Sequence, residues 1–358
     1  MKKIDKRKYI KFVKNEKGLY VKSNSHLIFI NEGFKIYLKV ILFIIIAIVA
    51  ILSFYFLFKI TLKKKYNYVN VAYSIDKNYY LITHVSMKSI MLSQNQTTFI
   101  NFFILCSNLT SENKEIIDKI SLQHKNCKIQ YFDMKNKFKD FRIPASTVAD
   151  WTTANFYRVL LPNLLPNEKK ILYLDGDTLV YKDLNKIYNY NIDNKYYVGM
   201  LELKNLNFDY FPEKFDNYIN TGVILCNLEE LRKGNISQKF IEFYKAHESE
   251  IRYPVNDVLN IVTHEKNGFF GPEYVMATFC DEEEAFKYYK NKKDMIDKEA
   301  YKEAYNDPYI YHYIPFIKPW KGIHKKNGEV CVDNFIRFYE MARKTDYYKE
   351  ILKKFKVK

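Results

Sequence analysis

Residues 40–58, VILFIIIAIVAILSFYFLF, form a run of 19 residues without a charge. As an α-helix this run would be about 28 Å long, close to the hydrocarbon thickness of about 30 Å of a membrane. A buried helix of a soluble protein would show a polar stripe, whereas Ser53 alone interrupts this run. A signal peptide has an apolar core of about 7–15 residues near the N-terminus. The run therefore predicts a membrane-spanning anchor.

The basic residues of the chain are concentrated at its two ends. The formal net charge is +16, and residues 1–65 hold 15 Lys and Arg against three acidic residues. Residues 343–358 hold seven against two, whereas residues 66–342 hold 35 basic and 36 acidic residues. A nucleic-acid enzyme carries its basic surface on the folded domain, whereas basic ends suit an anionic membrane surface. We therefore expect a membrane as partner and no nucleic acid.

The order of polar and apolar segments predicts the domain organisation. We expect a basic N-terminal tail (1–39), the anchor (40–58), a basic connector (59–67), one soluble domain (68–342) and a basic C-terminal tail (343–358). In the soluble domain, short apolar runs predict strands at 69–75, 100–106, 128–132, 170–174, 197–201 and 222–226. Helical patterns fall between them, at about 81–93, 111–125, 147–161 and 237–248. This alternation indicates an α/β domain with a mostly parallel sheet, which binds ligands beyond the carboxyl ends of its strands.

Asp175 and Asp177 follow one of these apolar runs, in ILYLDGDTLV (171–180). Two carboxylates separated by one residue at a strand end can both face a cation, and hard divalent metals prefer carboxylate oxygens. Asp-Gly is also a strong signal for a hairpin turn. The motif by itself therefore leaves a metal site and a plain turn as alternatives.

Three further motifs are weak individually. SIDKNY (74–79) follows the first strand and could hold a nucleoside, although for this motif by itself a plain Asx-rich turn is the more common explanation. No GxGxxG motif accompanies it, so an ordinary dinucleotide fold is not supported. His312 and Lys318, in HYIPFIKPW (312–320), could supply a metal ligand and a phosphate-binding cation, although a lone histidine is more often structural. Asn220 precedes an apolar strand, and NDVLN (256–260) follows further along the chain.

Taken together, these motifs occur in a recognisable order. Residues from about 68 to 325 resemble the retaining glycosyltransferases of family 8, which include glycogenin and the bacterial lipopolysaccharide galactosyl- and glucosyltransferases. The resemblance is carried by AYSIDKNY (72–79), FYRVLLPNLLP (156–166), KILYLDGDTLVYKDL (170–184), YINTGVILCNLEELR (218–232), NDVLN (256–260) and HYIPFIKPW (312–320).

The resemblance implies a Rossmann-like GT-A nucleotide-sugar-binding fold, a UDP-hexose donor and Mn²⁺, or Mg²⁺, as cofactor. Asp175, Asp177 and His312 match the metal ligands of the family. The residues that match its donor-binding groups are Ser74, Asp76, Asn78 and Tyr79 at the nucleoside, Arg158, Asp175, Gly176 and Lys318 along the donor, with Lys318 at the diphosphate, and Asn220 by the sugar.

Two positions depart from the family pattern. Val255-Asn256-Asp257 stands where the family has Asp-Gln-Asp, so that Asn256 keeps the amide expected at the sugar but is one methylene shorter. Pro315 stands where the family has Gly, and proline lacks an N–H that could contact phosphate. The resemblance implies catalytic roles for Asn256 and Asp257. It also implies a mechanism in which the acceptor attacks the face from which the diphosphate leaves, with no enzyme nucleophile.

We therefore expect a membrane-anchored, metal-dependent, retaining hexosyltransferase that moves glucose or galactose from UDP to a glycan acceptor. The anchor and the family favour lipopolysaccharide or another lipid-linked glycan as acceptor. Three lysines in residues 20–39 against five in residues 59–78 favour a cytosolic domain at the bacterial inner membrane. The alternatives are a catalytically weak membrane protein that binds nucleotide sugars, and a single-pass structural protein.

Overall fold

The computed structural model describes residues 10–15, 18–23, 26–30, 32–61, 66–143, 152–202, 218–278, 298–314, 318–322, 325–326, 329–330 and 332–356. The chain divides into two compact units, Met1–Lys65 and Tyr66–Lys358. The predicted helix over 147–161 and Pro315 lie partly or wholly outside the described residues.

The first unit contains a small sheet and a long helix. Strands β1 (Ile10–Asn15), β2 (Gly18–Ser23) and β3 (His26–Ile30) pair antiparallel in that order. Helix α1 (Glu32–Thr61) contains the uncharged run, and its stretch Phe34–Phe56 is long and apolar enough to cross a membrane, with an 18-residue window of mean hydropathy 2.9. The segment predicted as an N-terminal tail thus contains a paired sheet, which the charge count did not reveal.

The second unit is built on a seven-stranded sheet. Its strands are β4 (Asn67–Ile75), β5 (Thr98–Cys106), β6 (Cys127–Asp133), β7 (Lys170–Leu174), β9 (Tyr197–Leu201), β10 (Ile219–Asn227) and β11 (Asn267–Phe270), in the order β11-β9-β10-β7-β4-β5-β6. Strand β10 runs antiparallel to both neighbours, and the other pairs are parallel. The predicted mostly parallel sheet is confirmed.

A second, three-stranded sheet has the order β12-β13-β8, with β8 at Thr178–Val180, β12 at Val275–Ala277 and β13 at Ile310–His312. Strands β14 (Lys325–Lys326) and β15 (Glu329–Val330) form a short antiparallel pair. Because β8 follows β7 after a turn of three residues, Asp175 to Asp177 join the two sheets.

The helices surround these sheets. They are α2 (Tyr80–Ser93), α3 (Ser111–Gln123), α4 (Leu161–Leu164), α5 (Asn185–Tyr188), α6 (Leu228–Lys233), α7 (Ile236–His247), α8 (Pro254–Thr263), α9 (Lys298–Asn306), α10 (Val332–Ala342) and α11 (Tyr348–Lys354). Three 3₁₀ helices lie at Thr153–Leu160, His264–Lys266 and Pro319–Lys321. A helical pattern covers about 147–161 in the sequence, and the described residues there form a 3₁₀ helix (Thr153–Leu160) that leads into α4.

The core lies on both faces of the large sheet. Val71 and Leu172 belong to one buried apolar cluster, and their neighbours Ala72 and Tyr173 belong to another. Since side chains alternate between the faces of a strand, the central strands must be apolar throughout. This explains why they stand out in the sequence as continuous apolar runs.

Residues 343–356 pack with the domain. In α11, Ile351 is fully buried in a cluster that also contains Trp320 and Ala342. Three of the seven basic residues of the predicted C-terminal tail, Lys349, Lys353 and Lys354, lie in α11, but the apolar residues of this helix are spaced for a helix face. These residues therefore form part of the second unit.

Strand order places the candidate site. From β4 the chain continues to β5 and β6 on one side, whereas β7 lies on the other side of β4. Such a switch in direction opens a crevice at the carboxyl ends of the two strands. Ala72 of β4 is level with Tyr173 of β7, so Ser74, near the end of β4, and Asp175, just beyond the end of β7, lie at the same edge.

Candidate active site

Asp175, Asp177 and His312, called here the ligand cluster, come from the joint between the two sheets. Asp175 and Asp177 lie in the turn between β7 and β8, and His312 ends β13, whose backbone pairs His312 with Thr178. One side-chain nitrogen or oxygen from each residue lies within 4.8 Å of the other two. Nε2 of His312 is 3.8 Å from Oδ2 of Asp175 and 3.3 Å from Oδ1 of Asp177.

The ligand cluster fits a divalent cation in chemistry and in space. Among the described residues, both ring nitrogens of His312 and Oδ1 of Asp177 are buried without a hydrogen-bond partner. Buried polar atoms of this kind require a partner. Gly222 leaves room beside them, because a Cβ there would lie 2.3 Å from Cε1 of His312 and 2.5 Å from Oδ2 of Asp175. Carboxylate oxygens suit Mn²⁺ or Mg²⁺, and imidazole nitrogen is a ligand for transition metals.

Lys318 lies next to the ligand cluster. Its ammonium group contacts Oδ2 of Asp177 and also donates to the carbonyl oxygen of Tyr313. Burial by itself would raise the pKa of Asp177, but the charge of Lys318 and the neighbouring His312 outweigh it and hold that pKa well below its usual range. Asp177 is therefore ionised, as a metal ligand must be.

Arg158 and Tyr173 hold the carboxylate of Asp175. Nη2 of Arg158 donates to Oδ1 of Asp175 at 2.7 Å, and the Tyr173 hydroxyl donates to the same oxygen at 2.8 Å. Burial raises the pKa of Tyr173 well above its ordinary value, so the hydroxyl keeps its proton. Arg158 also donates to the carbonyl oxygen of Thr221 at 2.6 Å. The family resemblance implies that Arg158 contacts the nucleotide-sugar donor. In the structure its guanidinium contacts the Asp175 carboxylate and the Thr221 carbonyl.

Residues 74–79, called here the nucleoside loop, comprise the last two residues of β4 and the turn that begins at Asp76. Oδ1 of Asp76 accepts from the backbone N–H of Asn78 at 2.8 Å, and its carbonyl oxygen accepts from Tyr79 at 3.2 Å. The Asx turn and the exposed Asn78 leave polar groups at the crevice edge. Lys354 of α11 donates to the carbonyl oxygens of Lys77 and Asn78.

Gly176 lies in the turn between the two carboxylates, against helix α2. A Cβ at Gly176 would lie 2.3 Å from Oγ1 of Thr83. The sequence analysis listed Gly176 as a donor-binding residue, and the structure shows that it lets α2 approach the turn.

Asn220 and Asn256 both lie next to Thr221, which precedes Gly222 at the ligand cluster. The Asn220 amide donates to Glu202 at 3.2 Å, and its oxygen accepts from the backbone of Gly222 at 2.9 Å. Oδ1 of Asn256 accepts from the Thr221 hydroxyl. Sequence reasoning did not identify Glu202, Thr221 or Gly222, although the last two sit inside the NTG motif that it quoted.

Asp257 is turned into the fold. It is fully buried, its Oδ1 accepts from the Tyr218 hydroxyl at 2.7 Å, and its Oδ2 accepts from the backbone N–H of Tyr253 at 2.7 Å. The carboxylate therefore ties the first turn of α8 to the start of β10. The catalytic role expected for Asp257 stays a prediction that this geometry does not support.

Known proteins with similar sequences share this region. General stress protein A of Bacillus subtilis (strain 168) is 22% identical over 270 residues, which cover 72% of this chain and 90% of that protein. Lipopolysaccharide 1,2-glucosyltransferase of Escherichia coli is 23% identical over 296 residues, 79% of this chain and 82% of that protein.

A solved structure shares the fold. The galactosyltransferase LgtC, crystallised with donor and acceptor sugar analogs, matches 79% of this chain and 100% of its own with a TM-score of 0.62 and 19% identity. This similarity confirms the expected GT-A-like fold. The sequence also matches the family described as Glycosyl transferase family 8 over residues 70–324, which is well over half of the chain. The protein is therefore a member of glycosyl transferase family 8, as its motifs indicated.

Proposed function

We propose that this protein is a metal-dependent, retaining hexosyltransferase that transfers glucose or galactose from a UDP-sugar to a glycan. The observation that carries the proposal is the ligand cluster, with its unpartnered buried atoms, beside the nucleoside loop at the edge where β4 and β7 end. Family 8 membership supports the retaining transfer. These two neighbouring features support the binding of a donor whose phosphates lie at the ligand cluster and whose nucleoside lies at the nucleoside loop.

Each part of the site has a task in this proposal. Asp175, Asp177 and His312 would hold Mn²⁺ or Mg²⁺, which when bound supplies positive charge next to the leaving diphosphate. Lys318 adds a second cation at the same place, where negative charge grows as the glycosidic bond breaks. Arg158 keeps the Asp175 carboxylate oriented.

The nucleoside loop and the Asn220–Asn256 region would hold the two ends of the donor. Polar groups of Ser74, Asp76 and Asn78, with the ring of Tyr79, would contact the uridine at the crevice edge. Asn220 and Asn256 would lie by the hexose, with Asn256 held by the Thr221 hydroxyl. We assign Asp257 a positioning role because both its oxygens accept hydrogen bonds within the fold. The acceptor hydroxyl then attacks the anomeric carbon on the face that the diphosphate leaves, and its proton passes to the leaving phosphate oxygen.

The acceptor is proposed to be a lipid-linked glycan at a membrane surface. The stretch Phe34–Phe56 is long and apolar enough to anchor the enzyme. Two similar proteins are named as lipopolysaccharide glucosyl- and galactosyltransferases. We also propose that the domain faces the cytosol of a bacterium, where nucleotide sugars are made.

The test is a panel of UDP-sugars offered to the full-length protein in detergent, with Mn²⁺ or with EDTA. We expect release of UDP from UDP-glucose or UDP-galactose that requires the metal. Asp177→Asn should lower turnover by about 100-fold or more, the usual scale for one main electrostatic contributor. The exposed Asp193 provides a matched control, and Asp193→Asn should retain activity.

Two other results would favour the alternatives. Binding of UDP with Mn²⁺ but no turnover of any donor would indicate a nucleotide-sugar-binding protein. Failure to bind UDP and Mn²⁺ at all would indicate a structural role for the domain.

A further inference from the structure

A chain of hydrogen bonds runs from β4 through α2 to the turn that carries the two carboxylates. The Tyr73 hydroxyl lies 2.8 Å from Oγ of Ser86, which lies 3.0 Å from Oγ1 of Thr178. Oγ1 of Thr178 lies 3.0 Å from the carbonyl oxygen of Asp175. Tyr73, Ser86 and Thr178 are all at most 1% exposed, so water does not compete for these bonds.

Each hydroxyl group has one proton to donate, and this fixes the donor-to-acceptor direction of these hydrogen bonds. A carbonyl oxygen only accepts, so the single proton of Thr178 goes to Asp175. Thr178 must then accept from Ser86, and Ser86 in turn must accept from Tyr73. Burial raises the pKa of Tyr73 above its usual value, so its hydroxyl keeps the proton that the chain requires. The order is Tyr73 to Ser86 to Thr178 to the carbonyl oxygen of Asp175.

These hydrogen bonds complete the set of contacts that hold Asp175 in place. Its backbone N–H donates to the carbonyl oxygen of Gly222 at 2.6 Å, and its carboxylate is held by Arg158 and Tyr173. The carbonyl group is the remaining polar group of this residue, and Thr178 holds it. The next residue, Gly176, is in close contact with Thr83 of the same helix α2.

We propose that Tyr73, Ser86 and Thr178 are positioning residues that hold the turn from Asp175 to Asp177 in the geometry a divalent cation needs. This inference rests on the proposed metal site and adds residues that touch neither metal nor donor. Linked hydroxyl groups polarise one another, so loss at the end nearest to Asp175 should matter most.

The measurement is the dissociation constant for Mn²⁺ in excess UDP, taken from the electron paramagnetic resonance signal of the free ion. The protein is the full-length chain in detergent. Thr178→Val should weaken Mn²⁺ binding by about tenfold and Ser86→Ala by about threefold, the range that one hydrogen bond supplies. Tyr73→Phe should have a smaller effect, and Thr178→Ser should restore binding because it keeps the hydroxyl.

Ser89→Ala is the matched control. Ser89 lies one turn further along α2 and is equally buried; its hydroxyl donates to the backbone carbonyl oxygen of Ser86 at 2.6 Å and accepts from the backbone N–H of Val180 at 2.8 Å, but it contacts none of the three linked hydroxyl groups. Its loss should lower thermal stability as much as Ser86→Ala, because it leaves a buried N–H without a partner. Mn²⁺ binding should nevertheless stay at the wild-type value.

The outcomes separate this inference from the proposed function. If the wild-type protein binds Mn²⁺ and the Thr178→Val and Ser86→Ala variants bind it equally well, the positioning role is wrong and the metal site stands. Weakening by Ser89→Ala equal to that by Ser86→Ala would also overturn it, since general destabilisation would then explain both. If the wild-type protein binds no Mn²⁺, the metal site and this inference both fail.

Discussion

Gly222 faces the ligand cluster so closely that no side chain fits there. Its backbone φ is not in the positive range, where among the described glycines Gly322 alone lies, so alanine would meet a purely steric obstacle. The added methyl group would displace Asp175 and His312. We expect Gly222→Ala to lose Mn²⁺ binding and to lower turnover by about 100-fold or more. Calorimetric titration with Mn²⁺ and UDP, together with a turnover assay, checks both effects.

Gly268→Ala is the control for this substitution. Gly268 is also buried in a strand of the same sheet, but its added Cβ would meet Cδ of Lys195, the flexible part of a side chain, at 2.8 Å. This variant should bind Mn²⁺ normally. Normal Mn²⁺ binding by Gly222→Ala as well would show that the metal lies elsewhere.

Asn256 provides a second prediction at the residue scale. If its amide supports the sugar as the bond breaks, Asn256→Ala should lower kcat far more than it raises KM for the donor. Asn256→Gln, which restores the family residue, should keep measurable activity. Steady-state kinetics with both variants make the comparison. A rise in KM with kcat unchanged would instead make Asn256 a ground-state binding residue.

At the scale of elements, helix α2 links the site to the C-terminal residues. His84, on the helix, is 1% exposed, and its ring packs edge-on against Tyr347 with the centroids 5.2 Å apart. Burial, and to a lesser degree the charge of Lys88, lowers the pKa of His84 to about 4, against the opposing effects of the Ile116 backbone and Asp346.

This pKa shift makes stability depend on pH in a defined window. The unfolded chain takes up a proton at about pH 6.5, whereas folded His84 does so only near its lowered pKa. The free energy of unfolding should therefore fall as the pH falls from about 6.5 to about 4, by about 1.4 kcal/mol per pH unit from this residue. Urea unfolding followed by fluorescence should show this slope.

His84→Gln should remove that part of the slope, while the wild-type protein should show no contribution from His84 between about pH 7 and 8. An unchanged slope in the variant between about pH 4 and 6.5 would mean that His84 is protonated in the fold.

At the scale of the whole molecule, the charges next to the anchor predict its orientation. Lys59, Lys63, Lys64, Lys65 and Lys77 follow the span, against Lys22, Lys35 and Lys39 before it. Lysines and arginines close to a span favour the cytoplasmic side. A cytosolic reporter fused after Lys358 should be active and an alkaline phosphatase in the same place inactive. The reverse pattern would place the catalytic domain outside the cytosol.

The sequence by itself determined the features that repeat along the chain or lie close together in it. The uncharged run predicted helix α1, and the continuous apolar runs predicted the strands, because a strand covered on both faces must be apolar at every position. Asp175 and Asp177 were recognisable because a strand and a tight turn bring neighbouring residues to one place. His312 and Lys318 were predicted from the family motifs. They lie too far along the sequence from the two aspartates for short-range sequence patterns to connect them.

Tertiary structure decided what depends on clearance and on partners distant in the sequence. The space that Gly222 leaves arises only where β10 passes β13 and the turn from Asp175 to Asp177. Tertiary structure also determines whether a carboxylate can react or is held by hydrogen bonds within the fold. Asp257 is held in this way, because Tyr218 and Tyr253 fold against it. The buried face of α11 was not predicted for a similar reason. The net charge of a segment is summed along the sequence, whereas the burial of its residues depends on what packs against them in the fold.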